Sequence, residues 1–197
     1  MPLSPPVARR PVHNRRYDFQ AFRRDDGLWD IDAQLVDSKS YGFDNAYRGR
    51  VEAGEPIHGM WLRLTIDEDF LIHGIEAVSD HTPFAICPEI TPNFQKMVGE
   101  RIAPGWRNKV REKLGGTQGC THLVEMLGAL GTVAFQAVFP ERERNGKNAP
   151  RHGRRPALID TCYAFASDGP VVKREWPEFY TGPDRPAGTR SPEDAAE

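Results

Sequence analysis

The sequence predicts an α+β protein, in which an antiparallel sheet of about four to five strands is covered on one face by about three helices. Two pairs of strand-like runs come first, and three helical segments follow them without an intervening strand. Strands and helices that are segregated along a chain favour an antiparallel sheet over a parallel one. A further strand is expected near residues 157–165, where a short apolar run follows a long polar loop.

The first predicted hairpin pairs residues 17–24 with residues 28–37. The dipeptide Asp26-Gly27 lies between the two runs and is typical of tight hairpin turns. Apolar residues alternate with polar ones in the second run, so one face of that strand should be buried and the other solvated. The apolar residues of this pattern are Trp29, Ile31, Ala33 and Leu35.

The second predicted hairpin pairs residues 57–66 with residues 69–78, and the chain reverses near Asp67 and Glu68. Its first strand carries apolar residues at every second position. His58 falls on the same parity as those residues, so we expect its side chain to point inward at the start of the strand.

Three helices are predicted after the hairpins. The first spans about 91–101, with Thr91 as its N-cap and Pro92 at its first helical position. The second ends at the glycine pair 115–116. The third spans about 121–138 and has the clearest amphipathic pattern in the chain. Its apolar positions are Leu123, Met126, Leu127, Leu130, Val133 and Ala134.

The two ends of the chain differ in composition from its middle. Residues 1–14 are rich in proline and arginine and are predicted to be flexible, and residues 181–197 have the composition of a disordered tail. Residues 15–180 are expected to form a single α+β domain, because a chain of 197 residues can bury one ordinary core.

Composition argues against several classes of partner. The formal net charge is −2, with 26 Lys and Arg against 28 Asp and Glu, so no overall field attracts nucleic acid or an anionic membrane. The arginines near the N-terminus and in the loop 142–155 are interpreted as solvated segments. No apolar run approaches the roughly 20 residues needed to span a bilayer, and the N-terminal segment has no signal-peptide core. The expectation is a cytoplasmic protein with no nucleic-acid or membrane partner.

Three cysteines are the main candidates for chemistry, and as an odd number of distant thiols they argue against a disulfide framework. Cys120 follows a glycine-rich approach and precedes a helix whose N-terminal N–H groups favour a thiolate, with His122 two residues on. Cys87 lies in a proline-bounded segment, and Cys162 lies in the last predicted strand. Three thiolates with one histidine, His122 or His58, could hold zinc or an iron-sulfur cluster.

Two other functions fit the same residues. Cys120 could be the nucleophile of a thiol enzyme of the acyl-transfer or hydrolysis type on a small-molecule substrate, with His122 or His58 as its base. Alternatively, the protein is a non-catalytic ligand-binding or interaction domain and its cysteines belong to the core. No paired-cysteine metal motif or phosphate-binding loop occurs in the sequence, so any site must be assembled by the fold.

Five blocks of the sequence, within about residues 13–180, resemble a bacterial family catalogued as domain of unknown function 2889. The blocks are RRDDGLWDIDAQLVDSKSY, GEPIHGMWLRLTID, DHTPFAICPEITPNF, GWRNKVREKLGGTQGCTHLVEML and RPALIDTCYAFASDGPVV. They include Cys87, Cys120, His122, Cys162, His58 and Arg63. The family implies no activity.

The order of contexts around Cys87 and Cys120 is also similar to that of the U-type iron-sulfur scaffold proteins, which supports fold-level analogy only. The leading hypothesis from the sequence is therefore a metal-binding or iron-sulfur-binding accessory or maturation protein. Its partner would be a bacterial metabolic enzyme as client.

Overall fold

The computed structural model describes residues 3–147 and 155–183, and the chain forms two compact units, Met1–Arg142 and Glu143–Glu197. Compactness does not establish whether units fold independently, so the single domain expected over 15–180 stays a prediction. The predicted tail lies outside the described residues from 184 onward. At the N-terminus the first strand begins at His13, so residues 13–14 of the segment predicted to be flexible belong to a strand that starts four residues before its predicted start at 17.

The first unit contains an antiparallel sheet of four strands and a smaller sheet of two. Its strands are β1 (His13–Arg23), β2 (Trp29–Lys39), β3 (Phe43–Asn45), β4 (Gly49–Val51), β5 (Pro56–Ile66) and β6 (Ile72–His81). The four long strands are ordered β1-β2-β5-β6, and β3 pairs with β4. The predicted antiparallel α+β architecture and both hairpins are confirmed, whereas the small β3–β4 hairpin was not predicted.

The turn between β1 and β2 shows why the Asp-Gly signal is informative. Gly27 has a φ of +87°, a left-handed conformation that glycine adopts without steric cost. The Leu28 backbone N–H donates to the Asp26 carboxylate over 3.2 Å, and the Arg24 N–H donates to the Leu28 carbonyl over 2.9 Å. The turn is therefore closed by a backbone hydrogen bond between its flanking residues and by a side-chain bond to Asp26, one of the two residues that predicted it.

One face of the large sheet forms the core. The alternating apolar residues of β2 and β5 point to this face, as the parity pattern predicted, and they pack with the helices in a single buried cluster. Among its fully buried members are Ile31, Leu35, Leu62, Leu64, Phe94, Met97, Leu114, Leu123, Met126 and Leu127. The helices pack against this inner face of the sheet.

Four helical segments follow β6 up to residue 144. A 3-10 helix spans Cys87–Met97, and it is followed by α1 (Trp106–Leu114), a short 3-10 turn (Gly116–Gln118) and α2 (Thr121–Arg144). The helix predicted over about 91–101 was wrong at both ends, because the helical turns begin at Cys87 with Pro88 in the first turn and end at Met97, after which Val98 is extended. Helix α1 ends where predicted, and α2 continues beyond the predicted residue 138.

The expectation that no apolar run approaches the length of a membrane span was wrong for α2, which has the length and apolar composition of a membrane-spanning helix, with 39% of its most apolar window buried. Helices in the core of soluble proteins can have the same length and apolar composition. Several α2 residues, among them Leu123, Leu127 and Leu130, are fully buried in the core of the first unit. The absence of a membrane partner stays a prediction.

The second unit has a small apolar cluster of its own, formed by Ile159, Val172, Phe179 and Tyr180. Its described part contains α3 (Pro170–Glu175) and short 3-10 turns but no strand. The strand predicted near 157–165 is therefore wrong. Asp160 adopts a left-handed φ of +64°, and its carboxylate accepts the Ser167 N–H over 2.8 Å, which bends the segment into a loop.

Candidate functional site

A row of polar side chains crosses three strands at one end of the inner sheet face. Arg15 of β1 lies directly opposite Asp37 of β2, and Asp37 lies directly opposite His58 of β5. The next inward-facing row contains Leu35 and Met60, both of which are buried. The strand register therefore places three ionisable groups side by side where the apolar face ends.

Asp37 is the centre of this row, and its side chain is only 2% exposed. Arg15 donates from Nε to Oδ1 and from its terminal nitrogen to Oδ2, each over 2.7 Å. His58 Nδ1 lies 3.0 Å from Oδ2, and His13 Nε2 lies 3.2 Å from Oδ1. A buried carboxylate thus has nitrogen partners at both oxygens, as burial of a charge requires.

The charge state of Asp37 follows from these contacts. Burial alone would raise the pKa of the Asp37 carboxyl, but the hydrogen bonds and charge of Arg15, assisted by His58, outweigh it. The pKa of Asp37 therefore lies below its ordinary value. The group is a buried carboxylate at neutral pH.

His122 reaches the same place from the start of α2. Its Nε2 atom lies 3.8 Å from Oδ2 of Asp37, and its ring centroid lies 4.0 Å from that of His58. The Val124 N–H donates to the Cys120 carbonyl over 2.9 Å, so Cys120 occupies the N-cap position and His122 lies in the first turn. The helix start thereby places an imidazole over the polar row.

The two clustered histidines are held neutral. Burial lowers the pKa of His58, and the neighbouring Asp37 offsets this effect only in part. Burial also lowers the pKa of His122, and it is lowered further because a second positive charge would lie beside His58 and Arg15. Neutral imidazole has a free nitrogen lone pair, which is the form that binds a metal or accepts a proton.

Cys120 lies on the other side of the His122 ring. Its Sγ atom is 3.8 Å from His122 Nδ1 and 3.9 Å from Met60 Sδ. The thiol is partly buried and packs against the core cluster. Such a contact can fix the His122 tautomer through an N–H···S bond, or it can place the thiol next to a base.

A second carboxylate connects this site to the surface. Glu125 Oε2 accepts from the Tyr17 hydroxyl over 2.9 Å and from an Arg15 terminal nitrogen over 3.3 Å. Arg15 therefore bridges the buried Asp37 and the exposed Glu125, and it links β1 to the first turns of α2.

The structure brings together His58, Cys120 and His122 of the residues predicted from the sequence. In the described ranges, the group whose ligand atoms lie within 4.8 Å of one another consists of Asp37, His58 and His122 and contains no cysteine. Cys87 starts the 3-10 helix and is half-buried, and Cys162 is exposed in the second unit. A ligand set that includes Cys87 and Cys162 stays a prediction.

Sequence reasoning missed Asp37, Arg15 and His13. Parity could have identified Asp37, whereas Arg15 and His13 precede the strand predicted over 17–24 and are placed by the earlier start of β1. Asp37 continues the inward-facing series of β2 by two residues after Leu35, and Arg15 and His13 share the parity of the inward-facing Phe19. A charged residue on an apolar parity indicates a buried ionisable group, which needs a partner or a function.

Comparison with known proteins supports membership of a family without assigning an activity. No curated protein and no solved structure matches the chain. A family model described as "Protein of unknown function (DUF2889)" matches residues 13–136, which include β1, the part of α2 up to residue 136 and every residue of the polar row. The chain belongs to this DUF2889 family.

Proposed function

We propose that the protein binds one divalent transition-metal ion, zinc or iron(II), through His58, His122 and Asp37. The observation that supports this most directly is that one ligand atom from each of the three residues lies within 4.8 Å of the other two. Two ligands at about 2.1 Å from a tetrahedral ion are about 3.4 Å apart. The separations of 3.0 Å and 3.8 Å from Asp37 Oδ2 to the two imidazoles bracket that value.

The chemistry of the donors fits a single ion. Both histidines are neutral, and a carboxylate with two imidazoles is a donor set used by zinc enzymes and non-haem iron proteins. Nitrogen and oxygen donors favour a mononuclear ion over an iron-sulfur cluster, which requires thiolates. Arg15 Nε and His13 Nε2 contact Oδ1 of Asp37, as outer partners of metal ligands commonly do, and a terminal nitrogen of Arg15 also donates to Oδ2.

The ion pair between Arg15 and Asp37 affects the affinity that we expect for a metal ion. Its guanidinium already neutralises Asp37 through two bonds of 2.7 Å, so an incoming cation meets a partly compensated carboxylate. We therefore expect moderate rather than very tight binding. An accessory role for a client enzyme and a cytoplasmic location stay predictions from the sequence.

Metal content tests the proposal. Protein produced with zinc and iron supplied, and dialysed without chelator, should contain about one equivalent of metal by elemental analysis. His58→Ala and His122→Ala should each lose it while keeping the near-ultraviolet circular dichroism of the folded protein. The matched control is His73→Ala, which removes another histidine that contacts a carboxylate, 3.0 Å from Asp67, away from the site.

The outcomes separate the alternatives. A metal-free wild-type protein that also fails to bind added zinc or iron(II) would refute the proposal. Metal that is lost in Cys87→Ser or Cys162→Ser, but retained in His58→Ala, would favour the thiol-based site predicted from the sequence.

The 3.8 Å contact between Cys120 Sγ and His122 Nδ1 supports a second candidate, a thiol enzyme. In that case Cys120 is the nucleophile and His122 its base. Iodoacetamide at neutral pH should then alkylate Cys120 faster than the more exposed Cys162, and His122→Ala should abolish the difference. Equal slow modification of Cys120 in both proteins would reject this candidate.

A further inference from the structure

A groove of about 500 Å³ runs between strand β1 and helices α1 and α2, and its lining includes none of the three proposed metal ligands. This volume is in the range of pockets that hold small organic molecules, about 300–1,000 Å³. The floor of the groove is apolar. It is formed by Phe19, Val110, Leu114, Val124 and Ala129.

Two arginines stand at the side of this groove. Arg107 and Arg111 are four residues apart on α1, so they project from the same face of the helix, and both line the groove. Both are exposed, and within the described residues neither guanidinium has an ion pair or a hydrogen-bond partner. The groove therefore has two uncommitted cations beside an apolar floor.

The acidic side chain that lines the groove does not cancel these charges. Glu125 is already bound by Arg15 and by the Tyr17 hydroxyl. Since the chain as a whole carries a formal charge of −2, the attraction for an anion is local to this pair of arginines.

We propose that the groove binds a small amphipathic anion, a molecule with a carboxylate or phosphate group and an apolar body. Arg107 and Arg111 would bind the anionic group, because guanidinium matches carboxylate and phosphate oxygens in charge and geometry. The apolar body would cover the groove floor. Gly128 leaves room for it, since a Cβ built there meets no atom closer than 3.7 Å, at Arg107 Cγ.

Isothermal titration calorimetry with three probes of one chain length tests this inference. Octanoate and octyl phosphate should bind saturably with one site per chain, whereas octylamine should not bind. The stronger of the two anions identifies the anionic group. A chelator in every titration removes metal, so the result does not depend on the proposed metal centre.

Matched variants locate the binding. Arg107→Gln and Arg111→Gln should each weaken binding of the preferred anion by about tenfold, the loss expected for one charge-assisted hydrogen bond. Arg16→Gln is the control, because Arg16 is also exposed and unpaired among the described residues but does not line the groove. The Arg16→Gln variant should bind the preferred anion with the same affinity as the wild type.

A steric variant gives an independent test. Gly128→Leu should abolish binding by filling the groove, while the unfolding transition remains cooperative. Failure of both anions to bind at millimolar concentration, equal binding of octylamine, or unchanged binding in both arginine variants would each overturn the proposal.

Discussion

Arg15→Met and Asp37→Asn break the same ion pair, but we expect them to lower the free energy of unfolding by different amounts. The Asp37 side chain is 2% exposed, whereas that of Arg15 is 30% exposed. Arg15→Met leaves a buried carboxylate without its guanidinium partner. Asp37→Asn leaves a guanidinium that water can reach, and the new amide oxygen can still accept a hydrogen bond.

The magnitudes follow from these exposures. Removing the partner of a buried charge costs about 3–5 kcal/mol, so we expect Arg15→Met to lower the free energy of unfolding by about 3 kcal/mol or more. The two bonds of 2.7 Å are charge-assisted, but solvent can replace them on the arginine side. Asp37→Asn should therefore cost about 1–2 kcal/mol.

The assay is equilibrium unfolding in urea at pH 8 with a chelator, followed by tryptophan fluorescence. With a slope of about 2 kcal/mol per molar urea, Arg15→Met should shift the midpoint by about 1.5 M and Asp37→Asn by less than about 1 M. Buried Trp29 and Trp106 report on the first unit. A larger shift for Asp37→Asn than for Arg15→Met would refute the reasoning that the buried carboxylate dominates this row.

Three further predictions concern packing and charge in the first unit. Gly131→Ala should destabilise the protein by about 1–3 kcal/mol in urea unfolding, because the new Cβ would lie 2.5 Å from Trp106. Gly128→Ala should stabilise it by about 0.5–1 kcal/mol, because there is space for a Cβ at that position. Equal effects of the two substitutions on the free energy of unfolding would contradict this prediction. Leu64→Ala, at a position that is 0% exposed, should cost about 2–5 kcal/mol by the same assay, and a loss below 1 kcal/mol would argue against its place in the core. The pKa of Glu100 is lowered from 4.5 to about 2 by two lysines of α1, so its stabilising contribution is complete above pH 4.5 and is lost as the pH falls toward 2. The difference in melting temperature between wild type and Glu100→Gln should therefore be smaller at pH 3 than at pH 7, and a constant difference would show that this ion pair does not contribute.

Local patterns were sufficient for most of the first unit. Alternation of polar and apolar residues identified the strands of both long hairpins, and Asp26-Gly27 located the turn of the first. Period-3.6 spacing located α2. These signals work because each reflects a constraint within a few residues, namely which face a side chain occupies and which φ a turn requires.

The same reasoning failed where an apolar run had no partner. Residues 157–165 have the composition of a strand, but a strand needs a neighbour with which to share backbone hydrogen bonds. In the structure, the left-handed Asp160 and its bond to Ser167 satisfy the backbone locally. Composition alone could not distinguish these two outcomes.

For the candidate site, sequence alone determined that His58 faces inward and that Cys120 and His122 stand at a helix start. The tertiary structure decided what these residues meet. Asp37 lies between Arg15 and His58 because of the register of three strands, and His122 reaches them because α2 begins over that end of the sheet. Register and helix placement depend on contacts between residues that are distant along the chain, and local periodicity carries no information about those distances.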